Sequence, residues 1–151
     1  MPSDFKKLLY ARFLFTFAVQ MQAVILGWKV YEILKDPLYL GFIGLAEAVP
    51  AIGLALYAGY LVDRSRPLLV YRRVMYISLI SGVIVLFEPQ VGWLYFAAFL
   101  TGMARSFSQP SIFASVPRIL QRDQVLRGTA MMSSSMQIAR VAGPALGGLL
   151  F

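Results

Sequence analysis

Residues Leu40–Val62 read LGFIGLAEAVPAIGLALYAGYLV, an apolar run broken by a single charge, Glu47, and punctuated by Gly41, Gly44, Gly53, Gly59 and Pro50. A helix of roughly 20 apolar residues crosses a hydrocarbon core about 30 Å thick. The run meets that length, and four others match it: Ala11–Leu34, Leu68–Phe87, Val91–Phe113 and Thr129–Phe151. Lipid leaves exposed backbone amides unsatisfied, so such runs are expected to be helices. Barrel strands would be shorter and strictly alternating, and no such alternation is present. The fold class expected is an all-α integral membrane bundle, and residues 1–151 read as one incomplete transmembrane domain.

The composition agrees. Of the 151 residues, 59% are apolar and 14% charged, against roughly 45–50% and 25% in ordinary soluble proteins. The 14 Lys+Arg and 7 Asp+Glu give a net charge of +7, with no His and no Cys. Without those two residue types, thiolate and imidazole metal sites, disulfides and the commonest general base have no donors. No metal, no cofactor and no enzymatic role are expected, because an intramembrane enzyme would need a nucleophile–base pair or a metal cluster at depth.

The position of the cations explains the basic excess. The connections are short: Lys35-Asp36-Pro37, Asp63-Arg64-Ser65-Arg66-Pro67, Glu88-Pro89-Gln90 and a longer one, Ala114–Gly128. Alternate crossing places Lys6, Lys7, Arg12, Arg64, Arg66, Arg72, Arg73, Arg118, Arg122 and Arg127 on one side and Lys35 on the other. Lys and Arg accumulate in cytoplasmic loops, so the N-terminus is expected to be cytoplasmic, in a plasma membrane of bacterial inner-membrane type. This excess is topological, and nucleic acid is not expected as a partner. The first run is too long for a cleaved signal peptide, and no small-residue cleavage site follows it. The chain halts at or inside the fifth run with no polar tail, and so reads as the N-terminal part of something longer.

Ionisable residues at membrane depth cost at least about 2.5 kcal/mol each near the centre. Five stand out: Lys29, Glu32, Glu47, Arg105 and Arg140. Lys29 and Glu32 lie near the outer end of the first run, where snorkelling suffices. Lys29 is at a depth that allows a pair with Glu47. Glu47 is either a structural ion-pair member or a carboxyl that takes up and releases a proton as its surroundings wet and dry. Arg105 and Arg140 fall near the midplane. Thr101, Arg105, Ser108 and Gln109 make one polar stripe at helical spacing, and Ser133, Gln137 and Arg140 another. Two stripes at one depth imply either a hydrogen-bonded glue or a water-accessible cavity. Two guanidiniums with no midplane acid favour the cavity, and make an anionic small-molecule substrate an expectation. Gln22, on the face of Lys29, is expected to join the lining, and Gln20 to pack elsewhere. The glycines of the second run, with Gly143, Gly147 and Gly148, are expected at close helix contacts. Pro50, Pro110 and Pro144 are expected to favour kinks.

Two segments resemble the major facilitator superfamily. Gly59-Tyr60-Leu61-Val62-Asp63-Arg64-Ser65-Arg66, with Arg72 and Arg73 beyond, is similar to that family's signature between spans two and three. Ala139-Arg140-Val141-Ala142-Gly143-Pro144-Ala145-Leu146-Gly147-Gly148 resembles the fifth-span antiporter motif of its drug:proton exporters. Trp28-Lys29-Val30-Tyr31-Glu32, followed by Gly41 and Gly44, resembles the branch that includes enterobactin exporter-like proteins. The resemblance implies two six-helix halves rocking around a central site, of which this chain supplies nearly five helices and a missing C-terminal half the rest. It further implies a proton-coupled exporter of drug- or siderophore-like molecules. Glu47 is then the proton-coupling residue, and Gln22, Arg105, Gln109, Gln137 and Arg140 line the cavity. Gly59, Asp63, Arg64, Arg72 and Arg73 form a cytoplasmic gate, with Gly143, Pro144, Gly147 and Gly148 shaping the fifth helix. The alternative from another class is a non-transporting membrane scaffold or inactive remnant.

Overall fold

The computed structural model describes residues 2–87 and 90–149. Among these, every regular element is a helix: α1 Ser3–Leu34, α2 Leu38–Gly53, α3 Ala55–Arg64, α4 Pro67–Phe87, α5 Val91–Ile119 and α6 Arg122–Leu149. Glu88 and Pro89 of the third connection, and the last two residues of the fifth apolar run, lie outside the described residues.

Three elements depart from the sequence reading. The run at 40–62 is two helices bent by 44°. Pro50 lies one turn before the break at Leu54, and a proline both removes a helical hydrogen bond and crowds the preceding turn. Ser106 Oγ on α5 lies within hydrogen-bond reach of the carbonyls of Pro50 (3.1 Å) and Ala51 (2.9 Å), giving the end of α2 a donor from outside its own helix. The expected long connection at 114–128 is mostly helix, and only Leu120 and Gln121 separate α5 from α6. Val116, Leu120 and Met132 bury against Phe5 and Leu8 there, so tertiary packing carries α5 through Pro117. The first helix starts at Ser3 rather than Ala11. It ends at Lys35, whose left-handed conformation (φ 54°) lets its N–H bond Tyr31 O at 2.8 Å, an αL helix stop.

Helix α5 is central and touches the other five. Three apolar clusters stack along it. Phe5, Tyr71, Ile112 and Val116 fill one end. Phe15, Val19, Val74 and Ala104 fill the middle. Val30, Ile43, Val85 and Leu94 fill the other end. The end holding Phe5 is therefore also the end of Lys6, Lys7, Arg64, Arg66, Arg72, Arg73, Arg118 and Arg122. Helices α1 and α4 are each long and apolar enough to cross a membrane, and the bent α2–α3 pair forms a third candidate span. Helices α5 and α6 have the length, at 29 and 28 residues, but carry the polar stripes and fall short on apolarity. The outward faces are rich in apolar side chains, such as Leu56 at 90% exposure and Val141 at 76%. In water such a surface would be a liability; against lipid it is the expected boundary.

Candidate substrate groove

The site begins at a glycine. A Cβ on Gly102 would lie 2.1 Å from Glu47 O and 2.7 Å from Pro50 Cγ. Only glycine lets α2 and α5 approach this closely. The contact brings Glu47 within reach of Arg105, one turn further along α5, and Arg105 Nη1 lies 2.6 Å from Glu47 Oε1. The side chains are 40% and 17% exposed respectively, so the pair sits at the edge of the protein interior rather than in open water. Arg105 Nη2 also donates to Gln20 Oε1 at 3.0 Å. Lys29 is not the partner of Glu47; its Nζ donates to Val85 O and, at 3.2 Å, to Leu86 O.

Arg12 completes the polar surface. The sequence reading counts it among the cytoplasmic cations, yet the residue is 3% exposed. Its guanidinium donates to Ser108 Oγ and, at 2.7 Å, to Gln109 Oε1, and reaches Met136 Sδ at 3.3 Å. Its Nε is buried without a partner. Arg12, Thr16 and Gln20 lie four residues apart on α1 and all face one groove. That groove, of about 280 Å³, runs between α1, α5 and α6 and is also lined by Arg105, Gln109 and Arg140. Arg140 is exposed. Among the described residues, the groove holds three guanidiniums, and Glu47, paired with Arg105, is the carboxylate beside them.

The structure thus brings together Arg105, Gln109 and Arg140 of the expected lining, and sets Gln22 apart. Gln22 Nε2 donates to Ser81 Oγ at 2.7 Å and to Thr101 Oγ1 at 3.1 Å, and Ser81 Oγ donates to Ala97 O at 2.7 Å. This is an interhelical network among α1, α4 and α5, and Gln22 also lines a second, largely apolar cavity between α1 and α4. Gln20 takes the position on the groove. The two residues lie about 200° apart around the helix, so the face of Lys29 carries Gln22 away from this groove and the opposite face brings Gln20 to it. Gln137 is exposed and is not among the groove residues. Sequence reasoning missed Arg12, Gln20 and Gly102. The recurrence Arg12, Thr16, Gln20 at i, i+4, i+8 was a readable signal for the first two.

The two motif segments behave differently. Gly143 and Gly147 press α6 onto α1: a Cβ on Gly143 would lie 2.8 Å from Gln20 Cβ, and one on Gly147 3.2 Å from Met21 O. Pro144 lies inside the helix between them. Gly148 meets nothing within 4 Å, and neither do Gly41, Gly44, Gly53 and Gly59. The close contacts expected of the second-run glycines are made from the other side, by Gly102. Asp63, Arg64, Arg72 and Arg73 are all exposed. Arg64 stands 4.5 Å over the Tyr60 ring, and among the described residues Asp63 is in no ion pair. The Major Facilitator Superfamily family model matches residues 8–151. The chain belongs to that superfamily.

No curated protein matches the sequence closely enough to be counted a relative. Membership of the Major Facilitator Superfamily makes this a multi-pass membrane chain of transporter type.

Proposed function

We propose that the chain supplies the N-terminal helices of a proton-coupled exporter working by alternating access, with its N-terminus and basic end in the cytoplasm. The observation that carries this reading is the Glu47–Arg105 pair on the rim of the groove. The pair joins α2 to α5 at the groove's rim, so a change of its surroundings as a second set of helices rocks toward or away from that rim can break it and exchange the carboxyl's guanidinium partner for water or a proton. Arg105 is then released toward the groove in the same movement. Binding and protonation are in this way linked through one shared cation. The groove has no wall on its open side, which is where a second set of helices closes the cavity in this reading. Asp63 and Arg64, exposed at the basic end, are free to latch onto that second set. Gly143 and Gly147 hold α6 against α1 and keep the groove sealed along its back.

The test is flux in vesicles. The full chain, reconstituted alone and together with its C-terminal partner helices, is given an imposed proton gradient with ethidium and succinate as probes. Gradient-driven flux of either probe with the partner helices, lost or made independent of pH in Glu47→Gln, is the expected result. Absence of flux under every condition favours a scaffold role instead.

A further inference from the structure

We infer that the groove is a site for a compact dianion, with Arg12 as its buried anchor and Arg140 as its exposed arm. The inference names the substrate class of the groove and rests on the transport reading above only for its use, not for its chemistry. Three observations carry it. First, the charges do not balance: three guanidiniums face one groove, and a single carboxylate lies beside them. Two positive charges are left over, which one dianion neutralises. Second, Arg12 is built in. It is 3% exposed, it lines the groove, and the groups that fix it, Ser108 and Gln109, are neutral; among the described residues no carboxylate pairs with it. A buried cation without an anionic partner is costly to maintain, and an acidic oxygen is the group that offsets it best. Third, the groove measures about 280 Å³, just under the usual range for drug-sized ligands. It suits a dicarboxylate or phosphate group rather than a large ring system. Glu47 is the internal competitor. While it holds Arg105, the third guanidinium is shared, and a ligand must either accept that or displace it.

The experiment is ligand-dependent thermal unfolding of the purified full chain in detergent, at constant ionic strength. Succinate and inorganic phosphate are compared with acetate as a monoanion and tetraethylammonium as a cation. Succinate or phosphate should raise the midpoint saturably, and acetate and tetraethylammonium should not. Which dianion acts at the lower concentration separates carboxylate from phosphate recognition. Arg140→Gln should raise the half-saturating concentration about tenfold, the loss of one charge-assisted contact. Glu47→Gln should lower it several-fold by removing the competitor. If Arg140→Gln fails to fold, Arg140→Lys, which keeps the charge but loses the planar fork, should weaken succinate several-fold. Equal shifts with acetate and succinate, or an Arg140 variant with unchanged half-saturation, overturn the inference. Succinate binding without any flux sinks the transport reading and leaves the site. Proton-driven ethidium flux without dianion binding does the reverse.

Discussion

Two polar clusters each draw on a side chain of the central helix α5 and differ in one respect. Around Gln22, Ser81 and Thr101 the partners are protein groups: the amide reaches both hydroxyls, and both hydroxyls reach Ala97 O. Around Arg12, Arg105 and Arg140 the accounts stay open, with three guanidiniums to one carboxylate and Arg140 exposed. Polar residues at membrane depth are either glue or site, and saturation tells the two apart. The first cluster spends its capacity on the fold. The second holds some in reserve.

The largest effect should come from the residue that positions the open cluster. Gly102→Ala puts a methyl carbon 2.1 Å from Glu47 O, and a backbone atom has little room to yield. Overpacking of this kind costs about 1–3 kcal/mol, and the upper end is expected because α2 must lift as a unit. Thermal unfolding in detergent should show a lowered midpoint. Gly41→Ala, at a position with nothing within 4 Å, should leave the midpoint unchanged or slightly raised. Equal losses in the two variants would show that glycine content, rather than the α2–α5 contact, sets stability.

Next comes the closed cluster. Gln22→Ala removes two hydrogen bonds and leaves space beside Ser81 and Thr101. A loss of about 1–2 kcal/mol is expected. The double variant with Ser81→Ala should fall short of additivity by roughly 0.6 kcal/mol, the usual worth of such a bond in a membrane protein. Full additivity would mean that the two residues act separately and that the cluster is not a network.

The contrast also explains what the amino-acid sequence disclosed. Apolar length marked the cores of the helices but not the start of α1, the end of α5 or the start of α6, where polar residues continue the helix and length in lipid is silent. The break at Leu54 was half legible: Pro50 announced a kink, but Ser106, which supplies the end of α2 with a donor, lies more than fifty residues away. Arg105 and Gln109 share one stripe at helical spacing and both line the groove, whereas the other stripe brings Arg140 to it and leaves Gln137 exposed outside it. Arg12 was not legible, because the count of basic residues absorbed it. Its burial depends on Ser108 and Gln109, which come from another helix. The pairing of Glu47 with Arg105 rather than Lys29 likewise hung on one close approach at Gly102, and a sequence lists its glycines without saying which of them touch.

Ser106→Ala gives a smaller effect than either cluster. It removes the external donor at the α2 end but leaves the helix-breaking proline in place. About 0.5–1 kcal/mol is expected. Hydrogen exchange should quicken at Leu54 and Ala55 while α4 stays protected. Uniform loosening of the bundle would place the role of Ser106 in α5 itself, through its contact with Gly102 O at 3.2 Å.

The smallest effect on stability should fall on the residue with the largest expected effect on ligand. Arg140 is exposed and lines the groove, so Arg140→Gln removes a charge that the fold does not use. Its midpoint without ligand should stay within about 0.5 kcal/mol of the parent, as for surface substitutions generally. Removing one of three like charges from the groove should even offset part of the side-chain loss by relieving repulsion. Lowering the salt concentration sharpens the measurement, because it strengthens repulsion at exposed positions. The variant should then gain stability relative to the parent at low salt and lose that gain at high salt. A destabilisation larger than that of Gln22→Ala, insensitive to salt, would make Arg140 part of the glue and erase the distinction between the two clusters.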